Sequence, residues 1–163
     1  RHLCIPLFFK QGLDTIRDEG HYDKNRLLEF EEIYSKCMEE YGASHVLIKR
    51  HPRDTTPMRS DWNYFDGNEI PFEVLCDNMD ISRKILITAA STAVATPKVL
   101  MNKEPFVIVL CKIIKPFSVG PSKQIEYYEA IKDMYSNPDN FVIPDSIEEV
   151  YSAIQRGKAF LKQ

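Results

Sequence analysis

Short apolar runs alternate with amphipathic stretches along the chain. Four short runs predict strands: 3–9, 46–49, 84–88 and 106–110. The first is apolar and uninterrupted, as expected of a strand buried on both faces. Apolar residues recur at three- and four-residue spacing over 24–41, which predicts an amphipathic helix. Further helices are expected over 91–101, 124–135 and 147–161, and a short helix start over 71–75. Strands separated by helices predict an α/β fold with a doubly wound, mostly parallel, Rossmann-like sheet.

Single residues predict where several of these helices begin and end. Gly42 is a plausible stop for the first helix. Pro97 marks either the first turn of a helix or a kink within it. Asp145 or Ser146 is expected to cap the last helix.

Length and composition restrict the class of protein. The 163 residues fit one domain, and 44% hydrophobic with 28% charged residues is typical of a globular fold. A net charge of −3 does not indicate a general nucleic-acid binder, which usually carries a strong basic excess, and leaves a local basic site open. The four cysteines form no CxxC pair, which favours a reduced, cytoplasmic setting. The chain opens on Arg1 almost at a strand, so we expect a piece of a longer protein.

The most basic loop follows the second predicted strand. Its sequence is KRHPRD, in which four groups can be cationic: Lys49, Arg50, His51 and Arg53. Pro52 restricts the backbone of His51. Ligands of doubly wound sheets bind at the carboxyl ends of the strands, where this loop is expected. Such groups suit a phosphate, although a solvated charged turn would have the same composition.

Small residues and hydroxyls follow the third predicted strand. Ser91 and Thr92 open a helix there, where hydroxyls and backbone N–H groups could bind an anion. A simple helix cap is the alternative. Neither a GxGxxG nor a GxxxxGK[ST] motif is present.

Glu73 lies in a PFE segment that predicts the first turn of a helix. Its carboxylate could accept hydrogen bonds from ribose hydroxyls, or simply interact well with the helix dipole. Nearby, Trp62, Tyr64 and Phe65 could cover a nucleotide, but a satellite hydrophobic cluster is the expected arrangement.

The order of these motifs resembles the donor-binding half of bacterial sialyltransferases of the lipooligosaccharide and polysialyltransferase type. A basic HP loop is followed by PFE 22 residues later and by the ST pair 18 residues after that. The resemblance covers roughly residues 3–110 and is most specific in IKRHPRD and STAVATPKVL. It implies one half of a GT-B architecture, in which residues 1–163 form the C-terminal, nucleotide-sugar-binding domain and an N-terminal acceptor domain is missing.

The resemblance implies roles for individual residues. His51 would contact the donor phosphate and act as acid toward the departing CMP, with Lys49, Pro52 and Arg53 around that phosphate. Ser91 and Thr92 would also hold the phosphate, and Glu73 would grip the cytidine ribose. No cofactor or metal is implied, and the chain has no DxD-like carboxylate pair to hold one.

The remaining motif of the family is an acidic pair followed by glycine, which supplies a general base for the acceptor hydroxyl. Asp18 and Glu19 precede Gly20 in this way, with Asp14 as a weaker candidate. A turn is the other interpretation of such a tripeptide. His21 and His45 are expected to be structural or surface residues.

The function implied is a CMP-sialic acid-dependent glycosyltransferase that builds surface glycans such as lipopolysaccharide or capsule. Its partners would be a nucleotide-sugar donor and a glycan acceptor, with no nucleic acid. The full-length protein would be cytoplasmic, with peripheral association at the inner face of the membrane as an open alternative. Two other functions stay open: a GT-B transferase that uses another nucleotide sugar, and a non-catalytic α/β binding or regulatory domain.

Overall fold

The computed structural model describes residues 7–10, 24–51, 58–67, 69–114 and 121–162. Its sheet has five strands: β1 (Leu7–Lys10), β2 (Leu47–Arg50), β3 (Ile85–Thr88), β4 (Phe106–Val109) and β5 (Phe141–Val142). They are ordered β2-β1-β3-β4-β5, and every pairing between them is parallel. The prediction of a doubly wound parallel α/β sheet is confirmed.

Helices cover both faces of this sheet. They are α1 (Lys24–Tyr41), α2 (Phe72–Asn78), α3 (Thr96–Met101), α4 (Pro121–Asp133) and α5 (Ile147–Phe160). Helices α1 and α5 share one hydrophobic cluster with the sheet, whereas α2, α3 and α4 share the other. None of the described helices is long and apolar enough to cross a membrane.

The central strands are apolar on both faces because each face is covered by helices. Ile87 and Ile108 belong to the cluster on the α1 and α5 side, and Leu86 and Val107 belong to the cluster on the opposite side. All four side chains are fully buried. Because both faces are buried, the sequences of these strands are continuous apolar runs rather than alternations of apolar and polar residues.

Local signals in the sequence set the ends of several helices. Gly42 adopts a φ of 89°, and its N–H donates to the carbonyl of Met38 at 2.9 Å, which closes α1. At the start of α5, the Ser146 hydroxyl accepts from the N–H of Glu149 at 3.3 Å. Ser146 is therefore the cap of this helix.

Several predicted boundaries shift in the structure. The fifth strand, Phe141–Val142, was not predicted, because two residues give no periodicity. The helix expected over 91–101 is a 3-10 turn, Thr92–Ala95, followed by α3 with Pro97 in its first turn. Helix α1 matches its predicted range residue for residue, and α4 begins and ends slightly earlier than predicted.

Candidate functional site

The sheet order places one crevice at the carboxyl ends of the strands. The chain passes from β1 outward to β2 on one side and returns to β3 on the other side of β1. The connections after β1 and after β3 therefore diverge, and ligands of doubly wound sheets bind where such connections part. The loop that follows β3, residues 89–91, lies at this point.

Two polar side chains lie near the carboxyl ends of the strands on either side of β1. Lys49 is the last residue but one of β2, and Thr88 is the last residue of β3. Lys49 of β2 pairs in register with Phe9 of β1, and Phe9 pairs with Thr88 of β3. Leu47 and Leu86, two residues before Lys49 and Thr88, belong to the cluster on the α2, α3 and α4 side, so Lys49 and Thr88 project to that face as well. Two strand spacings separate the backbones of Lys49 and Thr88 by about 10 Å.

Lys49 is buried, with 4% of its surface exposed, rather than projecting into solvent at the edge. The segment around Tyr64 pairs with Ile48 and brings the Phe65 ring to 5.9 Å from the Lys49 ammonium. Burial lowers the pKa of Lys49, and the negative charges of Glu69 and Glu73 act in the opposite direction. The structure thus brings Glu73 into the electrostatic neighbourhood of Lys49, and adds Glu69, which has no distinguishing sequence pattern.

Hydrogen bonds within the loop after β3 fix its shape. The N–H of Ser91 donates to the Thr88 hydroxyl at 2.7 Å, and the Ser91 hydroxyl accepts from the N–H of Ala93 at 3.3 Å. Ser91 is therefore the cap of the 3-10 turn, which was one of its two interpretations. Thr92, the next residue, is exposed.

The remaining predicted site residues fall into two groups. His51 is exposed directly after β2, and Glu73 is exposed in the first turn of α2. The other candidates lie outside the described residues: Asp14, Asp18, Glu19, Pro52 and Arg53. His21, expected to be a structural or surface residue, lies outside them as well. The roles of all candidates in both groups stay predictions. The described part of the predicted site thus combines a buried cation, an exposed imidazole, a carboxylate and hydroxyls.

No protein-family model matches the chain, and a search of curated proteins found no match. Among solved structures, the chain is similar to a glycotransferase of kitacinnamycin, with 12% sequence identity and a TM-score of 0.40. The match covers 97% of this chain and 39% of the other. The chain thus spans about two fifths of that protein's length.

The aromatic residues near the basic loop pack against different hydrophobic clusters. The Trp62 ring is buried at 4.7 Å from the Tyr34 ring and 5.8 Å from the Phe30 ring. It belongs to the main hydrophobic cluster under α1 rather than to a separate satellite cluster. Phe65 instead packs against the hydrophobic cluster on the Lys49 side of the sheet. Trp62 is a core residue because its ring is buried in the cluster under α1.

The described cysteines are buried, free thiols: Cys37, Cys76 and Cys111. Burial raises the pKa of Cys76 to about 12 and that of Cys111 to about 11. A thiol with so high a pKa carries almost no thiolate at neutral pH, so neither residue suits nucleophilic catalysis. Within the described residues, no group of three or more His, Cys, Asp or Glu is placed to hold a metal ion.

Proposed function

We propose that this chain is the donor-binding domain of a CMP-sialic acid-dependent glycosyltransferase, a sialyltransferase that acts in surface glycan synthesis. The observation that carries the proposal is that Lys49 and Thr88 share one sheet face on either side of β1, with the Ser91 loop directly after Thr88. Hydrogen-bonding groups at a topological switch point, with a cation one strand away, suit a nucleotide phosphate. The glycan acceptor would bind on a facing domain.

The chemistry of donor cleavage explains why these residue types would be used. When the bond between sialic acid and the CMP phosphate breaks, its electron pair stays on the phosphate oxygen. Cations and hydrogen-bond donors around this phosphate then stabilise the transition state more than the ground state. In this proposal Lys49 supplies positive charge, Ser91 and Thr92 supply hydroxyls, and His51 donates a proton to the departing CMP.

Burial suits Lys49 to this role. Because its ammonium is taken from water, it gains more from an anionic partner than an exposed lysine would. A bound phosphate would hold the proton on Lys49. Glu73, whose carboxylate is exposed and close enough to act on Lys49, would accept hydrogen bonds from the ribose hydroxyls.

We expect CMP to raise the unfolding temperature of the protein. A ligand that binds only the folded state stabilises it by about 2.7 kcal/mol at 100 times its dissociation constant. Thermal shift assays with CMP, UDP and GDP at millimolar concentration measure this. A shift with UDP or GDP and none with CMP would favour a transferase that uses another nucleotide sugar. The absence of any shift would favour a non-catalytic domain.

We expect Thr92→Ala to weaken CMP binding without changing stability, because the side chain is exposed. Loss of one hydrogen bond to a charged phosphate should cost about 1–3 kcal/mol of binding free energy, measured by titration calorimetry. Thr92→Ser retains the hydroxyl and should bind CMP normally. Unchanged CMP affinity in Thr92→Ala would contradict the phosphate role of Thr92.

Ser91→Ala should lose CMP affinity and also about 0.5–2 kcal/mol of stability, because the Ser91 hydroxyl caps the 3-10 turn.

A further inference from the structure

A side chain of α4 contacts the loop that follows β3. Gln124 lies in the first turn of α4, and its amide nitrogen Nε2 donates to the carbonyl oxygen of Ala90 at 3.3 Å. Ala90 is buried and directly precedes Ser91. The other side-chain hydrogen bonds described for this loop join Ser91 to its neighbours along the chain, Thr88 at the end of β3 and Ala93 in the 3-10 turn. Gln124, by contrast, connects the loop to a helix that is distant in the sequence.

Two polar contacts orient the Gln124 amide. Its nitrogen Nε2 donates to Ala90, and the amide also interacts with the Tyr128 hydroxyl one turn further along α4. Most buried polar atoms are hydrogen-bonded, and leaving one unpaired has a free-energy cost. Of these two contacts, the one with Ala90 joins the amide to the loop.

We propose that Gln124 is a positioning residue for the loop after β3, to which the proposed function assigns phosphate binding. By holding the carbonyl of Ala90, it fixes the backbone from which the Ser91 and Thr92 side chains project. A loop fixed before the ligand arrives loses less conformational entropy on binding, so its affinity for phosphate is higher. The part of this inference that concerns phosphate rests on the proposed function; the part that concerns the loop does not.

The test compares two substitutions at Gln124 with the wild-type protein. Gln124→Met keeps the length of the side chain but removes the donor, and Gln124→Glu keeps an acceptor but places a carboxylate against the carbonyl of Ala90. Hydrogen exchange of the amides of residues 91–94 should become roughly 3- to 10-fold faster in both variants, as expected for the loss of one hydrogen bond. Affinity for CMP should fall by a similar factor, about 3- to 10-fold, while affinity for cytidine stays unchanged.

Glu126 offers a matched control on the same helix. Its side chain is exposed, and residues two apart on a helix do not face each other. Glu126→Met should therefore leave both loop exchange and CMP affinity as in the wild type. A Gln124 variant that lowers the ratio of CMP affinity to cytidine affinity without lowering the unfolding temperature supports positioning. A merely structural role would lower the unfolding temperature and leave this ratio unchanged.

The outcomes separate this inference from the proposed function. Unchanged exchange at residues 91–94 in both Gln124 variants would overturn the positioning role. Faster exchange with an unchanged CMP to cytidine ratio would overturn the link to phosphate. If wild-type protein binds no CMP at all, the proposed function and its phosphate link fail together, while the exchange measurement still decides whether Gln124 holds the loop.

Discussion

Replacement of His51 by alanine is expected to lower the kcat of the proposed sialyl transfer by roughly 10²–10⁴-fold, the usual contribution of a general acid. His51 is exposed and directly follows β2, so it lies at the carboxyl edge of the sheet, two residues from Lys49. In the proposed reaction, the His51 side chain donates a proton there to the phosphate oxygen of the departing CMP. Initial rates at saturating CMP-sialic acid and acceptor measure the effect, together with a thermal shift that shows normal folding.

His45 is the matched control for this substitution. It is an exposed histidine in the 3-10 turn Ala43–His45, before β2 begins, and therefore lies at the amino edge of the same strand. The four residues of β2 separate the two histidines by more than about 13 Å. His45→Ala should leave kcat unchanged. Near-normal turnover by a well-folded His51→Ala enzyme would make the catalytic assignment wrong, and the HP loop would then be a charged turn.

Elements with strong local signals could be predicted from the sequence. Helix α1 shows 18 residues of amphipathic spacing followed by a glycine, and its predicted and observed ranges coincide. Buried strands such as β3 and β4 were predicted within one residue, because their apolar runs end at polar or turn residues. Strand β5 was missed, since Phe141–Val142 is too short to give a periodic pattern.

The spatial order of the strands could not be predicted from the same patterns. Pairings such as β1 with β3 join residues far apart in the chain, whereas periodicity reports only neighbours within a few turns. Lys49 illustrates the consequence for the site. Its place at the end of a strand was predicted, but its burial beside Phe65 depends on a segment that folds back along β2.

Contacts between helices and loops that are distant in the chain could not be predicted from the sequence either. Gln124 occupies an ordinary helical position, and only the packing of α4 against the sheet brings its amide to Ala90. The Thr88–Ser91 hydrogen bond, by contrast, is local, and the composition of that loop already indicated either a cap or an anion site. Local chemistry was therefore predictable, and its tertiary partners were not.

A network of polar side chains joins α3 to the residues after α4. The ammonium of Lys98, whose side chain is 9% exposed, forms a salt bridge with Glu104 and donates to Asn102 at 2.9 Å. Both carboxylate oxygens of Glu104 accept from the N–H of Ser136 at 3.0 Å. Burial acts to raise the pKa of Glu104, but the hydrogen bonds from Lys98 and Ser136 outweigh it and the pKa is lowered. Glu104 is therefore held ionised.

Glu104→Ala is expected to lower the free energy of unfolding by about 3–5 kcal/mol, because it leaves the buried ammonium of Lys98 without its carboxylate. Denaturant unfolding at pH 7 measures the change. Glu39→Ala is the control: Glu39 pairs with Lys36, but its side chain is 67% exposed, so the expected change is within about 1 kcal/mol. A loss no larger for Glu104→Ala than for Glu39→Ala would contradict the role of this network.

The pH dependence of the same comparison provides a second measurement. A carboxyl whose pKa is lower in the folded state stabilises the fold above its unfolded pKa, and this contribution is lost as the pH falls through the folded pKa. For Glu104 the ordinary value is 4.5, and the folded value lies below it. The difference in stability between wild type and Glu104→Ala should therefore be constant near neutral pH and shrink as the pH falls below about 4.5. A difference that grew toward acid would show that the Glu104 carboxylate is not stabilised by Lys98 and Ser136.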